Sequence, residues 1–274
     1  MPPMSDPIFW RDSALPHVEL RRVEDGRNVC YAPHTHAEWS MGAITSGEST
    51  FVYGQRQCRI ETGSLVLINP NHVHACNPIK GRPWAYLMLY IDTQWLAELR
   101  YRLGLSLTPE WQDLAPEVMH SPEVFDAFVG LAGCLLDTAR SIELKSDRLV
   151  AFLSDLMPRL SASAAGRPVP AALCALADYL DRHCAEEVSL DLLCRQAEIS
   201  PGHLIRCFKQ HFCMTPHAYV INRRIQLGQS ALRLGRPIAE VALESGFSDQ
   251  PHFQRMFKRL LAATPGQYRQ VISR

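Results

Sequence analysis

The chain carries one helix-start signature twice. Ser200-Pro201-Gly202-His203-Leu204-Ile205-Arg206-Cys207-Phe208-Lys209 returns as Ser248-Asp249-Gln250-Pro251-His252-Phe253-Gln254-Arg255-Met256-Phe257-Lys258, which sets Arg206 and Arg255 49 residues apart. A fold that accommodates both copies needs two similar helical units, each presenting a similar face. Such a pair suits a partner that is itself periodic, and double-helical DNA repeats once per turn.

The second copy is the cleaner. Pro237 starts a helix whose stripe is Ile238, Val241 and Ala242, and Gly246 ends it, because glycine enters the left-handed region without a Cβ clash. Phe247 fills the corner. Asp249 caps the next helix, which turns Phe253, Met256, Phe257 and Leu260 inward and leaves Gln250, Gln254, Arg255 and Lys258 outward or at the edges. Two short helices about a glycine turn, the second with a polar face, describe a helix-turn-helix over roughly 237–260.

The first copy spans roughly 189–211. Ser189 caps a helix carrying Leu190, Leu193, Cys194 and Ala197. Glu198 stands where the second copy has Gly246, which predicts strain or a shifted turn. Ser200 caps the recognition helix, with Leu204, Cys207, Phe208 and Phe212 inward and His203, Arg206 and Lys209 outward. Residues 216–234 read as one connecting helix with a paired arginine.

In a major groove, Arg offers two donors to guanine and Gln can pair with adenine. Lys209, Arg223, Arg224 and Lys258 are assigned to phosphates, which set affinity and not sequence preference. Any single exposed Arg is more often a solvated surface charge; the duplicated constellation is what argues for DNA. Charge agrees. The formal net charge is 0, yet residues 171–274 hold 13 Arg/Lys against 9 Asp/Glu, leaving 15 against 19 for residues 1–170.

Ahead of this half lies a different pattern. Trp39–Ile44, Ser49–Tyr53, Ser64–Ile68 and Trp84–Ile91 are strand-like runs, with Gly54 and Gly63 at turns, which predicts an antiparallel sandwich or small barrel. Helices are expected from Asp92 to about Leu103, Val124 to about Arg140 and Glu143 to about Leu160. They cover the barrel or supply a dimer face. Residues 161–170, small and Gly/Pro-bearing, read as a linker. The division is therefore 1–160, linker, and 171–274, in an α+β chain with an all-α second half.

His34, His36 and Glu38 precede one strand, and His72 and His74 follow another. On a strand, His34, His36 and Glu38 share a face. The layout resembles a cupin barrel, and two uses compete. A metalloenzyme would take His34, His36, Glu38 and His74 as ligands. A sensor would use the same barrel as a pocket, with Tyr53, Tyr86, Trp39 and Trp84 as candidate walls. The short Glu38 spacing favours the sensor, so no metal, cofactor or catalytic residue is assigned. Nine scattered cysteines without C-x-x-C pairs, no secretory signal and no membrane-length apolar run predict a cytoplasmic protein.

Residues 171–271 resemble the DNA-binding domain of the AraC/XylS family of bacterial transcription regulators. The resemblance rests on Ile238-Ala239-Glu240-Val241-Ala242-Leu243-Glu244-Ser245-Gly246-Phe247-Ser248-Asp249, Phe253–Lys258 and Thr264-Pro265-Gly266-Gln267-Tyr268-Arg269, with Ser200, Leu204, Arg206, Phe208-Lys209 and Thr215-Pro216 in the first unit. It implies two recognition helices in successive major-groove turns of promoter DNA. It places base-reading positions at Gly202, Ile205 and Arg206, with His203 adjoining, and at Gln250, Pro251, Gln254 and Arg255. Gly202 has no side chain and Ile205 no polar group, so the second unit should carry more of the polar readout. The resemblance also implies a homodimer, RNA polymerase as a partner, activation more than repression, and a small effector, with segment 63–78 weakly resembling regulators linked to amino-acid or amine transport. Rival readings are a cupin enzyme with a helical appendage and a helical adaptor that binds no DNA.

Overall fold

The computed structural model describes residues 6–27, 29–163 and 168–270. Seven strands come first: β1 (Ile8–Trp10), β2 (Val18–Val23), β3 (Trp39–Tyr53), β4 (Arg56–Glu61), β5 (Leu65–Ile68), β6 (His74–Pro78) and β7 (Trp84–Ile91). Then follow α1 (Thr93–Arg102), β8 (Leu114–Ala115), β9 (Val118–Met119), α2 (Pro122–Leu136), α3 (Ile142–Leu156) and β10 (Ser161–Ala162).

All pairings are antiparallel, and the main path runs β1-β2-β7-β3-β5-β9. Two expected strands are one. β3 continues for 15 residues because the pairing with β7 slips between Ile44 and Ser46 instead of stopping. Its first half lies between β7 and β5, its second between β4 and β6, so it passes from one sheet into another. Gly47, at the bend, has φ +72, and a Cβ there would sit 2.2 Å from the Pro83 carbonyl oxygen. The cupin-like domain is thus a bent, open pair of sheets; among the described residues no pairing joins β1 to β9 and closes a barrel.

Strict alternation sorts the side chains. On β7, Leu87, Leu89 and Ile91 join Val18, Leu20, Trp39, Met41, Leu65 and Leu67 beneath the helices. Trp84, Tyr86 and Met88 face the other way with Val66, Ile68 and Phe51. Phe128, Leu131, Leu135, Leu149 and Leu153 of α2 and α3 complete the first cluster, so these helices cover the sheet.

Two helices are shorter than expected. Asp137 leaves the helical region and its side chain accepts from the Ala139 N–H, a local turn that competes with the helix. Pro158 converts the end of the third into a single 3-10 turn. Ser161 and Ala162 pair with β8, so the first residues of the expected linker belong to the N-terminal sheets, while 164–167 lie outside the described residues.

The C-terminal half is helical: α4 (Ala171–His183), α5 (Leu190–Ala197), α6 (Pro201–Phe212), α7 (Pro216–Arg233), α8 (Ile238–Glu244), α9 (Gln250–Leu261) and α10 (Pro265–Arg269). Its two cores mirror each other: Leu193, Leu204 and Phe208 in one, Val241, Phe253 and Phe257 in the other. The duplication reaches the helix ends. Cys213 after α6 and Ala262 after α9 are both left-handed, at φ 53 and 49, and Thr215 and Thr264 then cap the next helices by accepting from Ala218 and Gln267 N–H groups. Ser200 occupies its cap position without a side-chain bond.

Glu198 resolves the question of the non-glycine turn by adopting the left-handed conformation itself, at φ 54. An L-residue there is strained, so Glu198→Gly should stabilise the chain by roughly 0.5–1 kcal/mol, read as a higher urea midpoint at unchanged slope.

Candidate DNA-reading face and effector cavity

α6 and α9 are the second helices of the two units. Gly202, His203, Arg206 and Lys209 of α6 are exposed, and Ile205 is half-buried. Pro251, Gln254, Arg255 and Lys258 of α9 are exposed, and Gln250 is half-buried. The Asp249 carboxylate accepts from the His252 N–H at 2.6 Å and starts α9. Among the described residues, Arg206, Lys209, Arg255 and Lys258 form no ion pair. The missing side chain at Gly202 has a local consequence: Arg206 Nη1 lies 3.5 Å from where a Cβ would stand, so the guanidinium occupies that space. α7 joins the units as an 18-residue rod, about 27 Å long at 1.5 Å per residue.

Arg223 and Arg224 behave differently from the other basic residues. Arg223 pairs with Asp181 at 2.6 Å and also donates to Tyr219 Oη, Gln226 Oε1 and Asn71 Oδ1. Arg224 donates to the carbonyls of Cys184, Glu186 and Gly246. It thereby ties the end of α4 to the turn of the second unit. Arg223 spends its five donors inside the molecule and Arg224 three of its five, so in this conformation neither guanidinium is turned to a phosphate. The paired-arginine signal in a helix cannot separate a phosphate clamp from a carbonyl staple.

The expected pocket residues divide into several places, and Trp39 packs in the other core, beneath the helices. His34, His74 and Tyr86 line a small cavity with Tyr31, Trp84 and Tyr90. His36 adjoins it, its ring 4.8 Å from that of His74 and 5.2 Å from that of Tyr90. Tyr53 and His72 form a separate pair, 3.0 Å apart, near Asn69 and Asp113. Glu38 turns away altogether and meets Arg233 of α7 at 3.1 Å. It borders a cleft of about 700 Å³ between the domains. The run from His34 to Glu38 is an isolated bridge and a loop, not a strand, so the expected shared face does not form. Among the described residues, no group of three or more His, Cys, Asp or Glu side chains is arranged to hold a metal ion.

The cavity measures about 20 Å³, close to one ordered-water site, so a larger occupant enters by displacing side chains. Its histidines are neutral. Burial depresses His34 to about 3, with the nearby His36 acting in the same direction, and burial depresses His36 and His74 as well. Nδ1 of His34, His36 and His74 sits against the carbonyls of Ala32, Glu38 and His72 at 3.0, 2.7 and 2.9 Å, as a neutral ring with the proton on Nδ1 would.

Sequence reasoning missed the residues that join the halves. Asn222 donates to Thr35 Oγ1 at 2.7 Å, and Gln226 to the Thr35 carbonyl at 2.8 Å. Arg233 bridges Glu19 and Glu38, and Phe9 of β1 belongs to the apolar core of the second unit. These lie away from Arg206 and Arg255, which stay exposed.

Two helix-turn-helix units on one helical rod, with free basic side chains, behind a cavity-bearing β domain define a DNA-binding regulator that carries its own ligand-binding domain. A model of the AraC-like ligand binding domain matches residues 16–154, and a helix-turn-helix domain model matches 193–271. The chain belongs to the AraC family of transcription regulators. It is similar to the uncharacterized HTH-type transcriptional regulator YbfI of Bacillus subtilis, with 26% identity over 241 residues and 86% of each chain covered. It is also similar to the HTH-type transcriptional activator RhaS of Pectobacterium atrosepticum, 24% identical over 280 residues that cover 98% of this chain and 97% of the relative. Apo ToxT K231A from Vibrio cholerae shares the fold, with a TM-score of 0.58 at 13% identity, covering 92% of this chain and 96% of that one.

Proposed function

We propose that this regulator is a ligand-responsive activator that reads promoter DNA with both units, α6 and α9 entering successive major-groove turns. The observation that carries it is the pairing of Arg206 with Arg255, equivalent, exposed and without an ion pair among the described residues. Arg206 and Arg255 read bases with Gln250 and Gln254, His203 and Pro251 flank them, and Lys209 and Lys258 meet phosphates. Residues 1–160 form the effector domain and 171–274 the DNA-binding domain. The effector is a small polar molecule, an amino acid or amine among the candidates, held by His34, His36, His74 and Tyr86. One solved relative is a ToxT with a bound unsaturated fatty acid, which supports ligand binding in this fold. The regulator works in the cytoplasm as a homodimer with RNA polymerase, and its chemistry is binding, not catalysis. No helix among the described residues is long and apolar enough to cross a membrane.

Arg255→Ala should weaken specific binding by about 1–3 kcal/mol, roughly 5- to 150-fold in Kd, and relax base preference at one position. Arg206→Ala should cost less, since Ile205 and Gly202 give it no polar company. Gel-shift titrations at fixed salt measure both. Unchanged affinity and selectivity in Arg255→Ala would overturn the assignment.

A further inference from the structure

Arg21 lies in the middle of β2 and is 1% exposed. Pairing sets it opposite Phe9 and Met88, on the face shared with Glu19, Tyr86 and Tyr90. Its Nη1 donates to the carbonyl of Leu261, the last residue of α9, at 2.7 Å. Its Nε and Nη2 are buried and have no partner within hydrogen-bond distance among the described residues. Tyr31 and Tyr86, which line the cavity, hold their ring centroids 5.5 and 5.9 Å from the guanidinium carbon.

A buried donor without an acceptor is an uncompensated loss of hydration, and here two sit side by side. Nε–H and the adjacent Nη2–H are parallel and spaced to meet both oxygens of one carboxylate. Among the described residues no carboxylate supplies them. Glu19, the acid nearest along the strand, is held by Arg11 at 2.6 Å, by Arg233 at 3.2 Å and by the Tyr268 hydroxyl at 3.2 Å. Arg11 and Arg233 are paired with Glu19 and Glu38, whereas Arg21 forms no ion pair among the described residues. One carboxylate balances the single charge of that guanidinium, and phosphate exceeds it.

We propose that a small carboxylate enters the cavity by displacing the paired Tyr31 and Tyr86 hydroxyls that stand between it and Arg21, is held side-on by Arg21 Nε and Nη2, and that Arg21 carries its occupancy through Nη1 to the C-terminal end of the second recognition helix. Ala262, next along the chain, packs against the cavity's apolar cluster, so the end of α9 already rests on this site. The proposal rests on the reading of the cavity as the effector site and adds the ligand's chemistry and its route to DNA.

The test uses the full-length chain with 15N-labelled arginine, and acetate and benzoate as probes against acetamide, benzamide and inorganic phosphate. The acids should shift the Arg21 Nε–H resonance and slow its exchange; the amides should not, and phosphate should bind more weakly. Arg21→Lys keeps the charge without the fork and should weaken acid binding at least about tenfold. Benzoate should change the DNA affinity of the wild-type chain and leave that of Arg21→Lys unaltered. The wild-type resonance decides the matter even where the variant folds poorly. An unmoved Nε–H, tighter phosphate binding, or equal binding by Arg21→Lys overturns the proposal. Amides that bind as tightly as the acids and alter DNA affinity would remove the carboxylate while leaving the effector reading intact. Occupancy by acid that leaves DNA affinity untouched would remove the coupling.

Discussion

Gly246→Ala should abolish DNA binding by unfolding the second helix-turn-helix. Gly246 has φ +83, and a Cβ placed there would stand 2.5 Å from the Ala185 carbonyl oxygen and 2.8 Å from its Cα. Both neighbours are backbone, so no flexible side chain can give way. Left-handed strain costs an alanine about 1–2 kcal/mol. Forcing apart a packed turn adds about 1–3 kcal/mol. The sum, about 2–5 kcal/mol, is a large part of the usual stability of one domain. Arg224 donates to the Gly246 carbonyl, so a displaced turn also disturbs the staple to α4. The first unit supplies the control. Glu198 already bears a side chain in a left-handed turn, so Glu198→Ala should be nearly neutral. Urea unfolding of the two variants measures the asymmetry; a mild Gly246→Ala would mean that α4 and the second unit can separate without cost.

The second large effect is on acid stability. His34 is depressed to about 3, chiefly by burial and further by His36. In the unfolded chain it titrates near 6.5. Below pH 6.5 the unfolded state therefore binds a proton that the folded state refuses, and stability falls as pH falls. The loss is about 1.4 kcal/mol per pH unit below the unfolded value, so His34 alone removes about 2 kcal/mol by pH 5. His36 and His74, also depressed by burial, act in the same direction. The window runs from about 6.5 down to the folded value near 3, where the His34 contribution is fully lost. The melting temperature should drop steadily from pH 7 to pH 5, and His34→Gln should flatten the slope. A profile flat over that range would show the histidines to be hydrated, and the cavity to be open.

The two helix-turn-helix units were legible because repetition is a property of the linear chain. Phe208 and Phe257, Arg206 and Arg255, and Thr215 and Thr264 recur at one spacing, and a recurring helix start has few uses. The turn glycine was legible for the same steric reason that makes Gly246→Ala costly. The cavity was only half legible. His34 and His74 announce themselves as rare residues near strands, yet Glu38 beside them serves α7, because a loop does not keep the alternation of a strand. Arg21 gives no signal at all. In Val18-Glu19-Leu20-Arg21 the charged positions alternate with apolar ones, which is the pattern of a strand with one wet face. Here the C-terminal domain covers that face, and only tertiary packing tells a solvated charge from a buried one. The internal bonds of Arg223 and Arg224 were illegible for a related cause: helical spacing shows which residues leave a helix surface, not which carbonyls wait for them.

The central claim is that two unequal copies of one unit read DNA together. Hydroxyl-radical footprinting of the full-length chain, on fragments it selects from random DNA, tests this directly. The account predicts two protected patches on one face of the duplex, centred about 10–10.5 base pairs apart. Arg255→Ala should thin the patch under α9 while the other persists. A single patch, or two that vanish together in Arg255→Ala and Arg206→Ala alike, would contradict it.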